Sequence, residues 1–149
     1  MKSAWLNLRR SRYFTGPYNE TPEITIIGAP PYWVLPEGSA PDQLGRAIRV
    51  ALEASMDEPA SWDDALGRAE ERTVLLARLA GVKDRCTFER GARLVNFDSV
   101  DRGEILITPT FRKRGYWEPV PEEQWRRVRR PSDAELGIAT VEAVAASTA

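Results

Sequence analysis

The chain predicts an α+β fold: internally duplicated halves, each running strands then helix, with two antiparallel sheets packed against the helices. Two observations carry this. The stretch Leu44-Gly45-Arg46-Ala47-Ile48-Arg49-Val50-Ala51-Leu52 returns as Leu136-Gly137-Ile138-Ala139-Thr140-Val141-Glu142-Ala143-Val144, an offset of 136 − 44 = 92 that also places Trp33 on Trp125. The order of segments is strands, helix, insert, strands, helix, which argues against alternating βαβ units. Two alanine-rich amphipathic helices could look alike by chance, but the matching glycines and tryptophans favour a repeat. At 149 residues the chain is one domain, with repeats at about 1–56 and 84–149 and a helical insert at about 57–82.

In chain order, Ala4 to Leu8 and Tyr13-Phe14 are short apolar pieces broken by Arg9, Arg10 and Arg12, and read as a hairpin of modest strands. Glu23 to Ile27 is β-branched and reads as a better strand, closed by Gly28 to Pro31 before Tyr32 to Leu35. The first helix runs from Ala40 to about Ser55, with Ser39 as cap and Asp42 three residues on. Leu44, Ala47, Ile48, Ala51 and Leu52 form its apolar stripe, and Gly45, like Gly137 later, suits a close backbone approach to a sheet. In the insert Ser61 caps a helix with stripe Leu66, Ala69, Thr73, Leu76 and Ala80, stopped by Gly81. Strands are expected at Thr87 to Glu89, Ala92 to Asp98, Glu104 to Thr110 and Trp125 to Arg129. Ser132 and Glu135 open the last helix.

Several chemistries are excluded. No histidine is present and Cys86 is the sole cysteine, so the usual neutral-pH base and Cys/His zinc sites are missing. No nucleophile elbow, phosphate loop, HExxH, GxGxxG or EF-hand motif occurs. Cys86 has no histidine to activate it and reads as a buried or half-buried structural thiol. The expectation is a protein that is not an enzyme and uses no cofactor or metal. The absence of a signal peptide's apolar core in Met1 to Arg10, and of any membrane-length run, points to the cytoplasm.

Two features could carry binding. One is basic and aromatic: Arg112, Lys113, Arg114, Arg126, Arg127, Arg129 and Arg130 among Tyr116, Trp117 and Trp125. That pattern suits single-stranded nucleic acid, although alternate arginines on a strand commonly face water while the tryptophan faces the core. The other is acidic: Asp57, Glu58, Asp63, Asp64, Glu70 and Glu71, opposed nearby by Arg68. It would steer toward a basic protein, or simply keep a helix soluble.

The runs Leu79-Ala80-Gly81-Val82, Phe88-Glu89-Arg90-Gly91-Ala92, Ile105-Leu106-Ile107-Thr108-Pro109-Thr110 and Trp125 to Ser147 resemble the immunity proteins of contact-dependent growth inhibition, the CdiI class. The likeness covers most of the second half, and the first mainly through Asp42-Gln43-Leu44-Gly45. It implies a Whirly-like fold and a partner, the C-terminal toxin domain of a CdiA protein, to be bound and blocked in the cytoplasm. Such toxins are often nucleases, which would favour an acidic, phosphate-like inhibitor surface. Immunity surfaces differ with each toxin, so no interface residue is carried over. The charge argument selects Trp62, Asp63, Asp64, Glu70 and Glu71, with Tyr116 and Trp117 as the alternative patch. The competing expectation is a Whirly-like binder of single-stranded nucleic acid using the arginine and aromatic face.

Overall fold

The structure, a computed structural model, describes residues 1–22, 26–58 and 61–149, with the side chain of Trp62 outside that description. Its strands are β1 (Lys2–Arg9), β2 (Arg12–Glu20), β3 (Ile26–Gly28), β4 (Trp33–Pro36), β5 (Arg93–Val100), β6 (Glu104–Lys113), β7 (Tyr116–Pro119) and β8 (Arg126–Arg129). The helices are α1 (Pro41–Ala54), α2 (Trp62–Leu79), α3 (Arg85–Glu89) and α4 (Asp133–Ala146).

The class is α+β, but the expected two sheets are one. Eight antiparallel strands follow the order β3-β2-β1-β5-β6-β7, with β4 also paired to β2 and β8 to β6. The join is β1 against β5, in register from Lys2↔Ser99 to Leu8↔Arg93. The supposedly modest N-terminal hairpin therefore supplies the centre of the sheet. Ala4, Leu6 and Val95 face α1 and α4, while Trp5 and Leu94 face α2 and α3. Covering both faces erases the alternation that marks a half-buried strand. Its turn, Arg10-Ser11, has positive φ at both residues without the Asn-Gly or Asp-Gly that usually signals this geometry. Of the predicted strand Glu23 to Ile27, residues 23–25 lie outside the described residues, and β3 begins at Ile26.

α1 and α4 have equal length and stand at the offset expected from sequence, since 133 − 41 and 146 − 54 both equal 92. β4 pairs with β2 as β8 pairs with β6. Both helices bury the expected stripes, Leu44, Ala47, Ile48, Ala51 and Leu52 on α1 and Leu136, Ala139, Thr140, Ala143 and Val144 on α4. The glycines do not approach the sheet. A Cβ on Gly45 would strike the Asp133 carbonyl, and one on Gly137 the Pro41 carbonyl, so each glycine admits the first turn of the other helix. Caps also differ from expectation. Ser132 accepts from the Glu135 amide at 3.1 Å as read, whereas Ala40 caps α1 without a side chain and the Ser39 hydroxyl donates to the Pro36 carbonyl at 2.6 Å. Pro41 at the first helical position needs no donor partner there.

On the opposite face, α2 is a single helix in the insert. It buries Ala65 and Ala77, with Ala80 buried at its C-cap, while Leu66, placed in the stripe by spacing, is exposed. The inward face near its start meets a polar cluster instead of apolar core. The strand expected at Thr87 to Glu89 is the short helix α3. Asp84 caps it, accepting the Thr87 amide at 2.8 Å, and Phe88 packs edge-on against Phe14, 5.5 Å between centroids. Cys86, expected to be at least half-buried, is exposed on this helix, because Phe88 takes the inward position.

Candidate functional site

The cluster under α2 centres on Glu58. Its backbone amide donates to the Glu20 carbonyl at 2.7 Å, and the Met56 amide donates to Asn19 Oδ1 at 3.1 Å, so the segment after α1 is stitched to the end of β2. Glu58 then accepts from Arg72 twice, at 2.7 and 2.8 Å, from Arg68 at 2.8 Å and from Asn19 Nδ2 at 2.9 Å. Paired planar contacts of this kind are the strong form of the ion pair. The Arg72 hydrogen bonds, opposed by burial and helped by Asn19 and Arg68, pull the carboxyl down to about 2. Glu58 is therefore not part of a free acidic surface, as the sequence suggested. It is the bolt that fastens α2.

This pairing sorts the charge of α2. The helix carries three arginines, and Arg68 and Arg72 are engaged by Glu58. Asp63, Asp64, Glu70 and Glu71 are all exposed and make no ion pair among the described residues. Four carboxylates thus face outward with Arg78 as the remaining cation of the helix. Exposed Leu66 lies between the two acidic pairs and exposed Val74, Leu75 and Leu79 follow them, and a shallow surface hollow is lined by Gly67, Glu70, Glu71, Val74, Leu75 and Arg78. Trp62 opens the helix, and its side chain lies outside the described residues.

The inner side of α2 borders a crevice of about 180 Å³. Ala69, Arg72, Thr73 and Leu76 form one wall, Phe88 and Glu89 of α3 another, and Asn7, Tyr18 and Leu94 belong to the sheet beneath. Trp5, Tyr32 and Trp117 add aromatic surface. The fold thereby brings Trp117 to the same crevice as α2, although the two were separate candidates in sequence. Tyr116 stays three-quarters exposed on the β6–β7 hairpin. Arg112 lies over the Trp117 ring at 4.9 Å and pairs with Glu89 at 3.0 Å. Burial, with Asp98 adding, pushes the Tyr18 phenol well above its usual range, so it stays a neutral donor to Asn96 Oδ1 at 2.9 Å. Asn7, Trp5 and Tyr32 escaped sequence reasoning. The one available signal was a lone asparagine between Leu6 and Leu8.

At the basic strand a hollow of about 360 Å³ is lined by Glu123, Gln124, Trp125, Arg126, Glu142 and Ala146, and its one arginine is paired. Arg126 pairs with Glu142 at 3.0 Å and Arg127 with Glu104 at 2.7 Å, and the Trp125 indole donates to the Val120 carbonyl at 2.7 Å. Among the described residues no group of three or more His, Cys, Asp or Glu side chains could hold a metal ion, and no helix is long and apolar enough to cross a membrane.

A family model described as CDI immunity protein matches residues 31–147. No curated relative matches the chain in sequence. Among solved structures, a Neisseria meningitidis protein of unknown function is similar at a TM-score of 0.83 and 16% identity, covering 98% of this chain and 94% of that one. A chain of the CdiA-CT/CdiI toxin and immunity complex from Yersinia pseudotuberculosis is similar at a TM-score of 0.81 and 15% identity, covering 99% of each. At such identities the two structures speak to the fold alone.

Proposed function

The chain belongs to the CDI immunity protein family, and from that premise we propose that it neutralises the C-terminal domain of a cognate CdiA toxin, a nuclease, in the cytoplasm, through the acidic face of α2. Membership makes it an immunity protein, an inhibitor that works by binding a protein toxin. The observation that supports the finer reading is the charge sorting on α2. Sequestering Arg68 and Arg72 on Glu58 leaves Asp63, Asp64, Glu70 and Glu71 unopposed by those two cations. A nuclease holds cationic groups where phosphates bind, and covering them without matching negative charge would bury unpaired cations at a cost of several kcal/mol. Val74 and Leu75, exposed one turn beyond Glu70 and Glu71, offer apolar contact beside the acids.

The test is to read the gene neighbourhood for a CdiA-type toxin and to co-express its C-terminal domain with this chain. Growth should be restored by the unaltered protein, the two should co-elute, and the purified toxin's cleavage of RNA or DNA should stop on adding it. A toxin domain that stays active and unbound in the presence of excess protein overturns the reading.

A further inference from the structure

Asn7 sits in the middle of the sheet on the floor of the crevice, nine-tenths buried. Its backbone is paired on both sides, to Phe14 and to Leu94, yet its carboxamide makes no hydrogen bond among the described residues. Its nitrogen and oxygen are not sealed from water, since Arg9 Nε is the one fully buried unpartnered side-chain atom among the described residues, so the crevice is where the carboxamide must find its hydrogen bonds. Neighbouring polar groups are already engaged: Tyr18 with Asn96 at 2.9 Å, Thr73 with the Ala69 carbonyl at 2.8 Å, and Arg72 with Glu58. Glu89 is matched by Arg85 at 2.9 Å and Arg112 at 3.0 Å. Every one of these charged groups has a partner, although Glu58 and Glu89 each serve two arginines, and what the crevice offers without a partner is a carboxamide beside aromatic surface.

Its volume of about 180 Å³ exceeds the ~150 Å³ that houses a benzene ring in an apolar protein cavity. A carboxamide both donates and accepts. A phenol hydroxyl answers both functions, whereas an indole N–H can only donate. Tyrosine is also among the side chains that most often anchor interfaces from a desolvated pocket. Resting on the toxin-binding reading above, we propose that this crevice is an anchor pocket that receives one tyrosine side chain of the toxin, its ring beside Trp5, Tyr32 and Trp117 and its hydroxyl on Asn7.

The test has two readouts. Asn7→Leu removes the carboxamide and keeps the backbone pairing of residue 7 to Phe14 and Leu94, so the thermal midpoint should hold while affinity for the toxin domain falls at least tenfold. Ala69→Phe, which adds a ring to the crevice wall, should weaken toxin binding as strongly. Independently of any toxin, p-cresol, the side-chain analogue of tyrosine, should shift the Asn7 side-chain amide resonances of the unaltered protein at millimolar concentration, and not those of the Ala69→Phe variant. A lowered midpoint for Asn7→Leu with unchanged toxin affinity would make Asn7 structural and overturn the proposal. So would shifts produced by cytidine or adenosine and not by p-cresol, which would mark a nucleobase site. If the toxin domain fails to bind the unaltered protein while p-cresol still shifts Asn7, the function reading falls and the pocket's preference for a phenol stands.

Discussion

Replacing Glu58 with glutamine tests the bolt beneath α2. The carboxyl has ordinary affinity for a proton when the chain is unfolded and is pulled from 4.5 to about 2 by Arg72, Asn19 and Arg68 when it folds. At about 1.4 kcal/mol per pH unit, the coupling is worth about 3 kcal/mol of folding free energy at neutral pH. Because the folded pKa is depressed, this stabilisation is fully present above about pH 4.5. Between that value and about 2 the unfolded chain binds more protons than the folded one, so it is lost progressively as pH falls. Glu58→Gln should therefore cost about 3 kcal/mol at pH 7, since two arginines lose the charge that engages them. The gap between parent and variant should close as acid is added, because the other carboxylates titrate alike in both. Urea denaturation followed by tryptophan fluorescence at pH 7, 5, 4 and 3 measures it. Hydrogen exchange should show α2 amides opening more readily in the variant, with α1 and α4 little changed. A gap under about 0.5 kcal/mol at pH 7 refutes the reasoning. A large gap that stays constant with pH would refute it too, by locating the damage in packing and not in charge.

Gly45→Ala or Gly137→Ala places a Cβ on the backbone of the opposing helix and should destabilise by about 3 kcal/mol or more, outweighing the ~1 kcal/mol alanine gains in helix propensity. Thermal melts should show the loss for either variant alone. Converting Asp63, Asp64, Glu70 and Glu71 to their amides should slow association with the toxin domain in stopped-flow measurements, reduce its salt dependence and leave the melting temperature within a few degrees; equal association rates would put the interface elsewhere. Changing Arg126, Arg127, Arg129 and Arg130 to glutamine should leave toxin binding unaltered, because Arg126 and Arg127 are engaged by Glu142 and Glu104. Tight, salt-sensitive binding of single-stranded nucleic acid by the parent, lost in that variant, would contradict this assignment.

The parts of the fold legible in sequence were those whose signal is local. The stripes of α1 and α4 recur every three to four residues, Ser132 and Ser61 sit where a cap must, and the offset of 92 aligns both helices end to end. The family resemblance drew on the same sequence-local runs. Charge on the outer face of α2 was also legible, because exposed side chains have no neighbours to reassign them.

What only the tertiary structure decided were the contacts between distant residues. The β1–β5 pairing joins strands about ninety residues apart and makes one sheet of two, and nothing near Lys2 or Ser99 specifies that partner. Gly45 and Gly137 announced a close approach, but which backbone approaches depends on how α1 crosses α4. Glu58 looked like one more surface acid until Asn19, Arg68 and Arg72 converged on it. The crevice took Asn7, Tyr32 and Trp117 from three separate stretches of chain. Periodicity and capping are set by residues a turn apart and can be read along the chain. Burial, ion pairing and pocket shape are set by neighbours brought together only when the whole sheet closes.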